Sequence, residues 1–253
     1  MKKLFTAWII IFVFVLVLLL SIKTNAQLSS PTTEAVYGGR INAITGIATS
    51  VSSSTIFIAT ESANSLFYAD VTNTTSTPSF GTFTSIPDVN ADDNYGSGLS
   101  KISAHSSGFL FFISGGNLYK VNTTASSITT ISSSGTVSSL LVYGDYLLYI
   151  DGSNFVSKTL DSGGNLTATV TFAISITGTT IIQVNPSNNK VYIGIVSTTS
   201  PAIYKTSDNY NALTGGSTFT SLSLGSMTTS VTWNGFGIGP DGTLFLWWRF
   251  IFN

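Results

Sequence analysis

From residue 41 onward the chain is a succession of short apolar or aromatic runs of strand length, separated by clusters of Gly, Asn, Asp and Ser. No stretch of it keeps a helical 3.6 period, so this region is committed to strands and turns. One unit is clearest at Val191-Tyr192-Ile193-Gly194-Ile195, preceded by an apolar run at 181–184 with an Asn185-Pro186-Ser187-Asn188-Asn189 turn and followed by Ala202-Ile203-Tyr204-Lys205-Thr206. The same order of strand, turn and strand recurs around Phe57, Phe111, Leu148 and Phe245. Aligned on those residues and Tyr192, the units are spaced by 54, 37, 44 and 53 positions.

A period of about 40–50 residues with four strands per unit is the signature of β-propeller blades. The template predicts an all-β chain of about four and a half four-stranded blades, at about 41–89, 98–134, 137–174, 178–224 and, in part, 230–253. Inner strands fall at 41–47, 99–104, 137–142, 180–184 and 233–238, and third strands at 66–70, 118–121, 155–159 and 203–206. Outer strands at 80–86, 127–132, 168–174 and 219–224 are weaker and Thr-rich, as expected where a strand meets water. The 74 Ser and Thr residues suit strand faces and turns better than helices. A stack of β-sandwich domains would share the strand spacing; the internal period favours the propeller. The order stops at 247–253, just after a second strand at 244–247, which reads as an incomplete ring. A fragment or truncated, non-functional copy of a longer protein is the favoured explanation, ahead of closure by a strand donated from the 27–40 linker or pairing of two chains.

Residues 1–26 read as a signal peptide with its helix: Lys2 and Lys3, an unbroken apolar run of 13 residues over 8–20, then Thr24-Asn25-Ala26 before Gln27. An uncleaved anchor over 4–22 is the competitor, and the only route by which the chain would meet a membrane. Cleavage leaves 7 basic against 11 acidic residues. Without a basic field, nucleic acid is excluded as a partner, because its affinity depends on Lys and Arg neutralising phosphates. The absence of Cys removes thiol catalysis, disulfides and thiolate zinc sites. The chain is therefore expected to be secreted or held in the cell envelope.

Gly38-Gly39-Arg40-Ile41-Asn42-Ala43-Ile44 with Thr55-Ile56-Phe57-Ile58-Ala59-Thr60 resembles the opening blade of BNR/Asp-box propellers, the superfamily of sialidases and sortilin-like receptors. The 181–224 unit is more similar still: Thr206 and Asp208 match the family's Asp box, while Tyr210, Ala212 and Leu213 stand where its Gly, Thr and Trp belong. The box implies a structural turn closing a hairpin, not catalysis. Sialidase chemistry needs an arginine cluster, and only Arg40 and Arg249 are present. The leader followed by a Ser/Thr/Asn-rich propeller also looks like exported proteins of the Bacteroidota.

His105 is the only histidine, so a Ser–His–Asp triad would have to use it. No Gly-x-Ser-x-Gly elbow occurs, and His105 reads as a turn or surface residue. A glycosidase would need two carboxyl groups about 5–10 Å apart, drawn from Glu34, Glu61, Asp88, Asp92, Asp93, Asp145 and Asp151. Asp145 and Asp151 sit beside glycines as turn residues. The densest acidic segment, Asp88-Val89-Asn90-Ala91-Asp92-Asp93-Asn94-Tyr95, offers Asp88, Asn90 and Asp92 as oxygen ligands for Ca²⁺, the one cofactor the sequence suggests. Against that, Asp93 stands where a calcium loop needs Gly and Leu99 where it needs Glu. Asp92 and Tyr95 also suit a sugar, as acceptor and aromatic platform. The sequence thus predicts a non-catalytic, exported binding module taking a protein or glycan through an end face, with Glu61, Asp92, Asp93, Tyr95 and Asp151 as ligand contacts on the loops 60–65, 87–98, 114–117, 151–154 and 196–202. The alternative is a glycoside-hydrolase-like enzyme using propeller-face carboxylates.

Overall fold

The computed structural model describes residues 41–60, 66–73, 78–86, 101–122, 128–176, 178–196, 202–223 and 232–249. The leader at 1–26, the linker at 27–40, and Glu34, Glu61, Asp88, Asn90, Asp92, Asp93 and Tyr95 lie outside them. Among the described residues there is no helix, so none is long and apolar enough to cross a membrane.

Among the described residues nineteen strands form five antiparallel sheets, each following chain order except where the last short strand of the first sheet returns to its third. The first holds β1 (Ile41–Ala48), β2 (Ser53–Thr60), β3 (Leu66–Asn73) and two short pieces paired with β3, namely β4 (Pro78–Phe80) and β5 (Thr84–Ser85). The second holds β6 (Lys101–Ala104), β7 (Phe109–Ser114), β8 (Asn117–Asn122) and β9 (Thr129–Ser132). The third holds β10 (Val137–Tyr143), β11 (Tyr146–Asp151), β12 (Asn154–Leu160) and β13 (Leu166–Ala173). The fourth holds β14 (Thr179–Asn185), β15 (Lys190–Val196), β16 (Ala202–Asn209) and β17 (Phe219–Leu222), and the last pairs β18 (Thr232–Ile238) with β19 (Leu244–Arg249). The outer strand expected at 80–86 is broken in two. Phe80 pairs with Val71 and the Gly81 N–H still donates to the Asp70 carbonyl opposite it at 2.8 Å, but Thr84 then pairs with Tyr68, one residue out of step, so an extra residue interrupts the ladder.

The first strands of successive sheets lie side by side, β1 by β6, β6 by β10, β10 by β14 and β14 by β18. β6, β10 and β14 run in the same direction. Val142 N–H donates to Ser103 Oγ at 2.8 Å, and His105, just past β6, meets Asp145, just past β10. Ser138 and Thr180 hydroxyls meet at 3.4 Å near the strand starts, and Tyr143 meets Tyr210, which is bonded to Asn189 just past β14, near their ends. The described strands form an open succession, not a closed ring.

Burial on both faces explains why the second strands read as unbroken apolar runs. On β7, Leu110 and Phe112 enter a cluster shared with the first sheet, while Phe111 and Ile113 enter one shared with the third. On β11, Leu147 and Tyr149 face the second sheet and Leu148 and Ile150 the fourth. On β15 the same alternation puts Gly194 against β18, where a Cβ would stand 2.4 Å from the Phe236 ring. The outer strands escape this packing; on β13, Thr167, Thr169 and Thr171 are exposed.

Candidate functional site

In a meander the turns between first and second strands and between third and fourth strands share one end of every sheet. Here that end gathers titratable and aromatic side chains from the second, third and fourth sheets.

His105 follows β6 in a turn but is 1% exposed, so the expectation of a surface residue is corrected. The turn bends the ring inward, against the third sheet. Ser107 N–H donates to His105 Nδ1 at 3.3 Å and the Ser107 hydroxyl lies 2.6 Å from the same nitrogen. A nitrogen that receives a backbone N–H must carry a lone pair, so the ring proton sits on Nε2, which faces Asp145 Oδ1 at 3.4 Å. Asp145 is in the β10–β11 turn and its side chain is 69% exposed.

The two residues flanking this turn, Tyr143 and Tyr146, are paired across β10 and β11. Both rings meet Tyr210 edge-on, at centroid distances of 5.0 and 5.3 Å. Tyr210 is held just past β16 by its own N–H, which donates to the Asn189 carbonyl at 2.7 Å. All three rings are half-buried, and their hydroxyls bond no described protein group. Burial, then the neighbouring tyrosines and Asp145, hold the Tyr210 phenol above its ordinary pKa, so it stays a neutral donor.

Beside Ser107, Lys120 Nζ donates to the Gly164 carbonyl at 2.6 Å and lies 3.8 Å over the Phe109 ring. Burial lowers its pKa, against the pull of Asp161. Gly164 has φ +71°, and a Cβ there would stand 2.3 Å from Phe109 Cδ2 and 2.7 Å from Ser107 Oγ. Only glycine fits that corner.

The opposite end of the third sheet carries an internal clasp. Asp151 accepts from the hydroxyls of Ser132, Ser134 and Thr136 at 2.9, 2.5 and 2.6 Å. Burial pushes its carboxyl up, but these hydroxyl bonds outweigh it and hold the pKa below the ordinary value. Asp151 is thus a clasp between the 132–136 segment and the end of β11. Asp145 precedes β11 and Asp151 ends it, so six residues of extended chain set them about 20 Å apart. That pair cannot flank one glycosidic bond.

Thr206 and Asp208 lie at the end of β16. Thr206 Oγ1, 1% exposed, accepts from Val191 N–H at 3.0 Å and donates to the Asp208 carbonyl at 2.7 Å. The Asp208 carboxylate accepts from the Ser217 and Ser207 hydroxyls at 2.7 and 2.9 Å, which hold its pKa down. Both act within the fold, gathering the β16–β17 loop. Among the described residues no group of three His, Asp or Glu side chains could hold a metal.

Ser107, Asp145 and the three tyrosines were not legible as one cluster, because they stand on three different repeats. The available signal was the phase of the turns: Ser107, Asp145 and Tyr210 each follow an odd-numbered strand position within the unit, which places them at one end.

No family model matches the chain, and no curated protein sequence does. Among solved structures, a protein from Lactobacillus plantarum is similar with TM-score 0.53 and 11% identity, over 77% of this chain and 61% of that one. Luciferin-regenerating enzyme is similar with TM-score 0.51 and 13% identity, over 83% of this chain and 70% of that one. The chain spans about three-fifths of the length of the Lactobacillus protein. At such identities the likeness is one of fold alone, and it shows this chain to be an all-β, propeller-like protein.

Proposed function

We propose that the chain is an exported binding module built on a BNR/Asp-box-like propeller, and that it takes a protein or glycan ligand at the end of the sheets carrying Tyr143, Asp145, Tyr146 and Tyr210. The observation that carries this reading is the cluster itself: three phenol hydroxyls bonding no described group, around a carboxylate that is 69% exposed. Amphipathic rings beside an exposed acceptor can stack on an apolar face and hydrogen-bond at its rim. The leader at 1–26 supports export, and Thr206 with Asp208 supports the Asp-box likeness. The test is to fractionate cells expressing the full chain, then apply the recovered protein to glycan and protein arrays. Recovery outside the cytoplasm, with a ligand lost in both Tyr210→Ala and Asp145→Asn at unchanged melting temperature, supports the reading. A ligand retained by both variants moves the site elsewhere, and cytoplasmic retention refutes export.

A further inference from the structure

We propose that Ser107 is an activated nucleophile, general-base assisted by His105 and oriented through Asp145, that reacts with carboxylic esters bearing good leaving groups. The binding reading above does not require this chemistry.

Three observations carry it. First, the Ser107 N–H and hydroxyl both address His105 Nδ1, which fixes that nitrogen as the base and leaves Nε2–H for Asp145. A serine hydroxyl 2.6 Å from a neutral imidazole nitrogen has its proton acceptor already in place. The two ring nitrogens are exchanged relative to the usual triad, but the roles depend on geometry, not on which nitrogen serves. Second, His105 is the most enclosed member of the group, at 1% exposure, while Ser107 is only half-buried. The base is shielded and the nucleophile is reachable. Third, Gly164 has no side chain at the one corner where a Cβ would press on Ser107 Oγ, and its carbonyl holds the Lys120 ammonium close by.

The step balances within the group. Ser107 Oγ forms a bond to the ester carbonyl carbon as its proton passes to Nδ1; the carbon–oxygen bond to the alcohol breaks and the alcohol leaves with that proton. Water then attacks the acyl-serine, giving its proton to Nδ1, and the carboxylic acid departs as the proton returns to Oγ. The Gly108 amide is held by the His105 carbonyl at 3.0 Å, and the Ser107 amide must leave Nδ1 as that nitrogen takes the proton, so the step gives up a hydrogen bond. With one donor spent and the other released only as the base is protonated, the assistance is weak, and this restricts the substrate to activated esters instead of amides.

The test is labelling of the full chain with an alkyl fluorophosphonate, read by intact mass and peptide mapping. The expected result is one phosphonyl group per chain with loss of fluoride, located on Ser107 among the 74 Ser and Thr residues. It is absent in Ser107→Ala and about 10²-fold slower or worse in His105→Gln. Should His105→Gln fail to fold, Asp145→Asn alters an exposed carboxylate and must also slow labelling at unchanged melting temperature. No adduct at Ser107 overturns the proposal, as does a Ser107 adduct whose rate ignores the folded variants. Ser107→Ala is expected to keep any array ligand, so failure here leaves the binding reading standing.

Discussion

Replacing Gly164 by Ala separates two costs that a single substitution usually confounds. At φ +71° any side chain is strained, by about 1–2 kcal/mol. The new methyl would also stand 2.3 Å from Phe109 Cδ2, inside any real contact distance, and must push that ring and the Lys120 ammonium lying on it. Overpacking of this kind costs about 1–3 kcal/mol. The two together give roughly 2–5 kcal/mol. Gly115 supplies the control: at φ +54° it bears the same kind of backbone strain, but a Cβ there meets nothing within 4 Å, so Gly115→Ala costs about 1–2 kcal/mol. Gly194→Ala is the converse, with φ outside the left-handed region and a Cβ 2.4 Å from Phe236, and costs about 1–3 kcal/mol from the clash alone. The assay is the urea midpoint of each variant at constant slope, checked by thermal melting, where 1 kcal/mol is worth about 2–4 °C in a domain of this size. Equal destabilisation by Gly164→Ala and Gly115→Ala would refute the packing of the second sheet on the third as described.

Adjacent residues on β7 test whether that sheet is enclosed on both faces: Phe111→Ala and Phe112→Ala, each 0% exposed but in different clusters, should each cost about 3–5 kcal/mol, and an exposed-like loss under 1 kcal/mol from either would show one face open. Asp151 carries a pH signature, because a carboxyl held below its ordinary pKa contributes stability that is fully present above the unfolded value near 4 and is lost as pH falls through the folded value. The melting-temperature gap between the unmodified protein and Asp151→Asn should therefore narrow below about pH 4; a gap that stays constant to pH 2 would contradict the hydroxyl clasp.

The strand order was legible because it is local. Runs such as Leu110 to Ile113 and Leu147 to Ile150 are apolar on consecutive positions, and only a strand packed on both faces tolerates that. Turn glycines and asparagines between them supply the hairpin chemistry. The outer strand of the first sheet was less legible, since its break is a one-residue slip in pairing against β3, between Val71 with Phe80 and Tyr68 with Thr84, and pairing register is set by the partner strand. His105 was misplaced for a related reason. Its immediate neighbours, Ser103 to Gly108, describe a polar turn, and a turn is ordinarily exposed; the carboxylate its ring turns toward, Asp145 of the third sheet, stands forty residues later.

Sequence alone determined that the region from residue 41 onward is built of successive antiparallel units, several of them four-stranded, because hydrophobic periodicity and turn residues act over a few positions and are written directly in the chain. Only the tertiary structure decided which side chains meet. Ser107, His105, Asp145 and Tyr210 belong to three sheets, and their convergence follows from parallel packing of β6, β10 and β14 with all their first turns at one end. It likewise decided that Asp151 is a clasp and Asp145 an open carboxylate, although both stand beside a glycine at a strand end. The difference is set by the hydroxyls that neighbouring segments bring to one and leave away from the other, a matter of distance in space that spacing in sequence does not encode.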